Sequence, residues 1–140
     1  ESKPEISSLA SSDQACAVRV NLDGIQDHLI KHGVQKTLVM AGYSFDGQVA
    51  SVVRDSEGDL KKVFLAGGSR LADQDGSRLL IQGRHQDMVV EAAYDGTGLA
   101  LSGREVDGLA VYAPDVDMSR VTLNGQAVTV TKEGDYLRLK

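Results

Sequence analysis

Two histidines spaced four residues apart are the first side chains in this sequence whose pattern could do chemistry. On a helix, His28 and His32 would share one face, which is the geometry of a zinc pair. On a strand they also share a face but lie about 13 Å apart, too far for one ion. No Glu follows His28, so the zinc-protease pattern is absent. We therefore interpret the two as half-exposed strand histidines and assign no metal site.

A second group of side chains could bind an acidic sugar. Arg84 and Arg104 each follow a glycine, and both could present a guanidinium group to a carboxylate. His85 stands beside Arg84 in a polar turn. Sugar-binding modules usually offer an aromatic ring to the pyranose face, and the chain has no Trp, so Tyr43 and Tyr94 are the aromatic candidates. The alternative for all five residues is ordinary surface polarity and packing.

Calcium is the alternative to our assignment of no cofactor. Asp115 and Asp117 lie in a loop and offer the hard oxygen ligands that calcium takes. The EF-hand spacing is not met, because Met118 and Ser119 follow and no Glu closes the loop. Aspartates are common in turns without an ion, because their side chains hydrogen-bond the backbone nearby.

The sequence contains no recognisable nucleophile or phosphate-binding motif. Serines are frequent, yet none lies in a Gly-x-Ser-x-Gly elbow. Gly96 and Gly98 form a Gly-x-Gly that joins two predicted strands and opens no helix, so phosphate binding is not expected. Cys16 lies in an apolar alternation and is expected to be a small buried hydrophobe. No catalytic residue is assigned.

Composition restricts the classes of partner. The chain has 140 residues and a net charge of −5. An acidic chain is not expected to bind nucleic acid or an anionic membrane, since both need a basic face. No stretch reaches the roughly 18 apolar residues of a membrane span. A single cysteine excludes an intrachain disulfide framework.

Turn signals divide the chain into short apolar segments. Each signal pairs Asp or Asn with a glycine, the chemistry that a tight hairpin needs, since both tolerate a positive φ. The segments between them are rich in Val, Leu and Ile, which predicts an all-β fold: an antiparallel β-sandwich of about ten to eleven short strands. The signals are Asp23-Gly24, Asp46-Gly47, Asp75-Gly76, Asp95-Gly96, Asp107-Gly108 and Asn124-Gly125.

The same pattern gives the domain organisation. Residues 1–14 are rich in Ser, contain one Pro and few large apolar residues, and begin without Met. This is typical of a linker or of the cut end of a longer protein. The alternation begins at Ala15, so we expect residues 15–140 to form a single β-sandwich domain.

Four stretches together resemble a known family. Phe45–Arg54 leads through a turn into Val63–Leu71, and the last part of the chain combines Val121–Val128 with Gly134–Leu137. Over residues 15–140 this resembles the C-terminal β-sandwich region of heparinase II/III-like polysaccharide lyases and related alginate lyases. In that family an N-terminal helical toroid precedes the β-sheet domains, and the catalytic tyrosine and histidine come largely from the toroid and the adjoining sheet.

The resemblance implies a bacterial periplasmic or secreted accessory domain that stabilises or completes a lyase. Its partner would be the catalytic domain, and an exposed apolar patch would mark the contact. The alternative is an autonomous carbohydrate-binding module for acidic polysaccharides. A third hypothesis is a small complete enzyme, which would need folding to bring His85 to Tyr43 or Tyr94.

Overall fold

The computed structural model describes residues 4–12, 14–31 and 37–139. These residues form sixteen strands and two single-turn 3-10 helices, Gln74–Gly76 and Met118–Arg120, and no α-helix. The strands are β1 Glu5–Ser11, β2 Ala15–Asn21, β3 Gly24–Lys31, β4 Leu38–Met40, β5 Tyr43–Phe45, β6 Val49–Asp55, β7 Leu60–Gly68, β8 Arg70–Asp73, β9 Arg78–Gln82, β10 Met88–Asp95, β11 Gly98–Arg104, β12 Ala110–Tyr112, β13 Val121–Leu123, β14 Gln126–Ala127, β15 Val130–Glu133 and β16 Tyr136–Leu139.

The strands form two sheets, and the predicted all-β sandwich is confirmed. Sheet A has nine strands in the order β1-β2-β3-β6-β7-β10-β11-β13-β14. Sheet B has seven, in the order β15-β16-β12-β9-β8-β5-β4. Among the described pairs, β11 with β13 is parallel and the others are antiparallel. The strands outnumber the ten or eleven expected because several have only two or three residues, too few for an alternation to be recognised.

The core lies between the sheets and follows from the alternation of side chains along each strand. In sheet A, Val52 pairs with Val63, and Val63 pairs in turn with Ala92, so three inward side chains form one row. All three are fully buried. Burying a side chain such as Val or Leu contributes roughly 1.5–3 kcal/mol, so rows of this kind hold the sheets together.

The six turn signals do not all close hairpins. Four of them join adjacent antiparallel strands: β2–β3, β8–β9, β10–β11 and β13–β14. Asn124 and Gly125 both have positive φ, 52° and 85°, which is the type I′ geometry expected for Asn-Gly. Asp46-Gly47 and Asp107-Gly108 instead carry the chain from one sheet to the other. The same dipeptide chemistry therefore serves two different connections.

Part of the segment assigned to a linker is a strand. Glu5–Ser11 forms β1 and pairs antiparallel with β2 at the edge of sheet A. Pairing uses backbone groups, so a Ser-rich segment can join an edge without contributing much to the core. Its large apolar side chain Ile6 remains 72% exposed. Residues 1–3 and 13 lie outside the described residues.

Candidate functional site

Charged side chains replace apolar ones between the sheets at the end nearest the β2–β3 turn. Arg19 follows Ala15 and Ala17 on the inward face of β2, and its cross-strand partner on β3 is Asp27. Sheet B contributes polar groups opposite them. We call the resulting set the interior polar chain; its members are Arg19, Asp27 and Arg54 from sheet A, and Tyr43, Asp73 and Arg78 from sheet B.

One half of the interior polar chain is built around Asp27, whose side chain is fully buried. The guanidinium of Arg19 donates two hydrogen bonds to this carboxylate, from Nε to Oδ1 at 2.8 Å and from Nη2 to Oδ2 at 3.1 Å. The hydroxyl of Tyr43 donates to Oδ2 at 2.5 Å. Paired, charge-assisted bonds of this kind are among the strongest in proteins.

The other half is built around Asp73. Arg54 Nη1 donates to the Tyr43 hydroxyl at 2.8 Å, and its Nη2 donates to Asp73 Oδ2 at 2.7 Å. Arg78 donates to both oxygens of Asp73, with its Nε 2.8 Å from Oδ1. The Arg78 Cζ also lies 5.0 Å from the ring centroid of Tyr112, within cation–π range. The chain of contacts is therefore continuous from Arg19 to Tyr112.

These contacts change the ionisation of the buried groups. Burial raises the pKa of Asp27, but the hydrogen bonds from Arg19 and Tyr43 outweigh it, so the pKa lies below its ordinary value. Burial and the bond to Asp27 raise the pKa of Tyr43 to about 12. The Asp73 carboxylate raises the pKa of Arg78. Near neutral pH these shifts keep Asp27 ionised and Tyr43 a neutral phenol.

Two cavities open beside the interior polar chain. One, of about 400 Å³, is lined by Arg19, Arg54 and Arg78 together with Tyr43 and backbone around Gly42. The other, of about 390 Å³, contains Arg78 again, with Tyr94, Tyr112 and Lys61. Volumes of 300–1,000 Å³ are typical of small-ligand sites. The first cavity carries three guanidinium groups against the carboxylates of Asp73 and Asp75. The second carries Arg78 and Lys61 against Asp59 and Asp115. The first cavity is therefore the one suited to an anionic ligand of sugar size.

A third cavity adjoins the first at Arg54. Its volume is about 520 Å³, and its wall also carries Asp23, Asp55 and Glu57. This acidic side repels anions, so an anionic ligand would be held on the opposite side of Arg54, between Arg19 and Arg78.

The two predicted tyrosines lie at this cleft. Tyr43 is 4% exposed and uses its hydroxyl inside the interior polar chain. Tyr94 is partly buried and donates its hydroxyl to the Tyr112 carbonyl at 2.6 Å, and burial raises its pKa. Each residue lines one of the two cavities that share Arg78. Neither presents a free, flat ring of the kind a sugar-stacking platform requires.

The predicted Arg84, His85 and Arg104 lie elsewhere. Arg104 pairs with Val89 at one end of the β10–β11 ladder, whereas Tyr94 is near the other end. Five residues of strand separate Val89 from Tyr94, or about 16 Å. The five predicted residues therefore do not form one site.

Around His85 the structure brings together acidic residues that were not predicted from the sequence. His85 Nε2 lies 2.7 Å from Asp107 Oδ1, and Nδ1 lies 3.5 Å from Glu105 Oε2. One ligand atom each of His85, Asp87 and Glu105 falls within 4.8 Å of the others. Arg84 packs across Gly108 beside them. The hydrogen bond from His85 holds the pKa of Asp107 below its ordinary value.

The other candidate ligands have structural roles. His28 Nδ1 lies 2.9 Å from the Ser51 hydroxyl, and His32 lies outside the described residues. Asp117 Oδ1 accepts the backbone N–H and the hydroxyl of Ser119, which caps the turn that follows. The turn chemistry considered as the alternative to calcium is therefore present at Asp117.

One row of outward-facing side chains on sheet A is apolar throughout. Cross-strand pairing puts Cys16, Ile30, Val49, Ala66 and Val89 in one row across five strands. Ile30 is 47% exposed and Val49 is 36% exposed, and the other three are partly exposed. We call this row the outer apolar row. A row of adjacent exposed apolar side chains is typical of an interaction surface.

No family model matches this sequence, and no curated protein matches it significantly. In residues 4–12, 14–31 and 37–139 there is also no helix with the length and apolarity needed to cross a membrane.

Proposed function

We propose that this chain is the non-catalytic C-terminal accessory β-sandwich of a bacterial, periplasmic or secreted polysaccharide lyase, and that it stabilises or completes the catalytic module. The outer apolar row is the observation that carries the proposal. The resemblance to heparinase II/III-like lyases supplies the class of partner. In this proposal the outer apolar row packs against the catalytic module.

The position of the outer apolar row suits a docking role. It crosses five inner strands of sheet A, each paired on both sides, so the backbone beneath the row is held by its own ladders. Ile30 and Val49 are direct cross-strand partners, so their side chains form one contiguous spot. Covering apolar surface contributes roughly 25 cal/mol per Å². A partner domain would thus gain from contact with side chains that the sandwich itself leaves in water.

The test combines the chain with the catalytic module of a heparinase II/III-like alginate lyase from which the C-terminal sandwich has been removed. We expect the added chain to bind the module and to raise its thermal stability or its rate of unsaturated product formation. The double variant Ile30→Lys/Val49→Lys should lose this effect, because two charges would be desolvated in the contact.

Val39→Lys is the matched control. Val39 is 68% exposed but lies on β4 of sheet B, away from the outer apolar row. It should leave association unchanged. Failure of the native chain to bind or stabilise the module, or an equal loss in Val39→Lys, would contradict the proposal.

The cleft beside the interior polar chain favours a second candidate, an autonomous module that binds acidic polysaccharides. Arg19 and Arg78 each retain an Nη1 group that is not used in the bonds to Asp27 and Asp73. Both residues line the same cavity with Arg54. Guanidinium groups around a cavity are suited to the carboxylate of a uronic acid or to a sulfate ester.

Isothermal titration with alginate and heparin, with dextran as the neutral polymer and with and without calcium, tests this candidate. We expect binding to the acidic polymers that weakens with salt. Arg19→Gln should weaken it, and Arg104→Gln, at the far end of the β10–β11 ladder, should not. No heat with any acidic polymer would remove this candidate and leave the accessory role standing.

A further inference from the structure

A mixed nitrogen and oxygen donor set surrounds His85, away from the cleft and at the end of the β10–β11 ladder where Val89 of the outer apolar row pairs with Arg104. It joins the loop between β9 and β10 with the end of β11 and the turn after it. Its members are His85, Asp87, Glu105 and Asp107, and Arg84 is the cation beside them. Three carboxylates against one guanidinium leave a local excess of negative charge next to an imidazole.

The two ring nitrogens of His85 have different partners. Asp107 Oδ1, 2.7 Å from Nε2, accepts a hydrogen bond from the ring, which places the proton of the neutral imidazole on Nε2. The lone pair of Nδ1 then faces Glu105 Oε2 at 3.5 Å. A proton on Nδ1 or a metal ion between the two atoms would make this contact favourable, and a metal ion can also bring in the carboxylate of Asp87.

The spacing of the facing atoms fits a bound metal ion. Metal-to-ligand distances of 2.0–2.2 Å in a tetrahedral site put neighbouring ligand atoms about 3.4 Å apart. The separation of His85 Nδ1 from Glu105 Oε2 is 3.5 Å, and the carboxylate of Asp87 lies within 4.8 Å of both ligand groups.

We propose that His85 Nδ1, Glu105 and Asp87 bind a divalent transition-metal ion, with zinc as the first ion to test, and that Asp107 orients the imidazole from behind. One imidazole with two carboxylates suits zinc better than calcium or magnesium, which prefer oxygen ligands alone. A carboxylate on the distal nitrogen is the usual support of a metal-bound histidine. Three protein ligands leave a fourth position for water or for a group from a partner.

A second group of carboxylates, Asp55, Glu57 and Asp59, provides the internal comparison. It has no imidazole, and Asp55 Oδ1 already accepts the backbone N–H groups of Glu57 and Asp59. These bonds explain its geometry as a turn. We propose no metal ion there.

The experiment is a titration of zinc into the metal-free chain, in a Cys16→Ser background that removes the thiol as a competing ligand. We expect one ion per chain and a rise in melting temperature. The ring nitrogens of His85 should shift in the NMR spectrum of the otherwise native protein. His85→Ala should weaken binding by at least tenfold. Asp107→Asn should weaken it by about tenfold, as is usual for a supporting carboxylate. Glu57→Gln should leave it unchanged.

Three results would overturn the proposal: no zinc binding by the native chain, equal affinity for calcium with no response of the His85 ring, or the same loss in Glu57→Gln as in His85→Ala. Side chains of His85 and Asp107 are 37% and 57% exposed, so the variants should fold, and circular dichroism checks this.

Discussion

Arg54 Nη2 lies 2.7 Å from Asp73 Oδ2, and this ion pair joins β6 of sheet A to β8 of sheet B. The two side chains are 19% and 5% exposed, so water screens the pair little. Apolar contacts join the sheets elsewhere, whereas here the connection is ionic and directional. It fixes how the sheets lie over each other at the cleft, and therefore where Arg19 and Arg78 stand.

Replacing Arg54 by Met should destabilise the fold. The change leaves the nearly buried Asp73 with Arg78 alone and removes a donor to Tyr43. Removing one partner of a buried pair costs about 3 kcal/mol. Chemical denaturation measures the loss. Lys62→Met is the control, because the Lys62–Glu91 pair is 3.6 Å apart and 47% and 40% exposed, and such pairs contribute under about 1 kcal/mol. Equal losses would mean that Arg54 holds no sheet-joining role.

Stability should fall at alkaline pH through Tyr43. Its pKa is raised to about 12 in the fold, mainly by burial and then by the bond to Asp27, against an unfolded value of 10. A group whose pKa is raised by folding stabilises the protein fully below its unfolded pKa, and the contribution is lost as pH rises toward the folded pKa. The groups facing the Tyr43 hydroxyl are Asp27, which accepts its hydrogen bond, and Arg54, which donates one to it.

The measurement is the urea midpoint between pH 9 and pH 12. The native chain should lose stability across this window more steeply than Tyr43→Phe, which has no phenol to ionise at this position. Tyr43→Phe should already be less stable at pH 7, by about 1–3 kcal/mol, because the buried Asp27 loses a donor. An equal loss of stability in the native chain and in Tyr43→Phe between pH 9 and pH 12 would contradict the role of Tyr43 ionisation.

Gly68→Ala should destabilise the fold because the backbones at Gly68 and Gly47 lie very close together. A Cβ on Gly68 would lie 2.4 Å from the Cα of Gly47, and neither backbone can yield without moving a strand. Forcing atoms into a packed site costs about 1–3 kcal/mol. Gly83→Ala is the control, since its Cβ would meet the flexible thioether of Met88. Gly68→Ala should have the lower melting temperature of the two variants, and the reverse order would contradict the close approach of Gly68 to Gly47.

Gly125→Val should destabilise the β13–β14 hairpin. Gly125 has φ of 85° with nothing within 4 Å of the added Cβ, so the cost is conformational strain and not a clash. A β-branched residue at positive φ costs about 1–3 kcal/mol. Gly125→Asn should cost less, because Asn tolerates this region. Identical melting temperatures for the native chain and Gly125→Val would contradict the turn geometry.

The fold was predictable because its signals are local. Asn124-Gly125 specifies a type I′ turn by itself. The prediction from the alternation in β2 was wrong: Cys16, expected to be buried, is partly exposed on the outward face, and the smaller Ala15 and Ala17 are the buried side chains. Asp46-Gly47 marks the limit of this reasoning, because it looks like a hairpin and instead crosses between sheets. At this connection Gly47 packs closely against Gly68, which is distant in sequence, and no local pattern indicates that contact.

The candidate sites could be predicted only in part. Tyr43 and Tyr94 were found as aromatic residues, but the arginines of the cleft come from strands of both sheets whose relative placement no local pattern encodes. Arg19 is in phase with Ala15 and Ala17, but the larger apolar side chains of β2 lie on the opposite face, so the alternation gave no sign that Arg19 points inward. The pairs His85-x-Asp87 and Glu105-x-Asp107 can be recognised in the sequence. Only the pairing of β10 with β11 brings the two pairs together in space, and no local pattern encodes that pairing.

The placement of β16 has a consequence for how the chain is made. This strand lies between β12 and β15 in sheet B, and the Leu139 N–H also bonds to the Leu109 carbonyl at 2.8 Å. Sheet B therefore stays incomplete until nearly the last residue described has left the ribosome. By residue 104 the chain has made seven of the nine strands of sheet A but only four of the seven strands of sheet B. Part of the core of sheet A therefore stays uncovered until the last strands of sheet B follow. The core of this domain is thus closed late, when β16 pairs, and not strand by strand as the chain emerges.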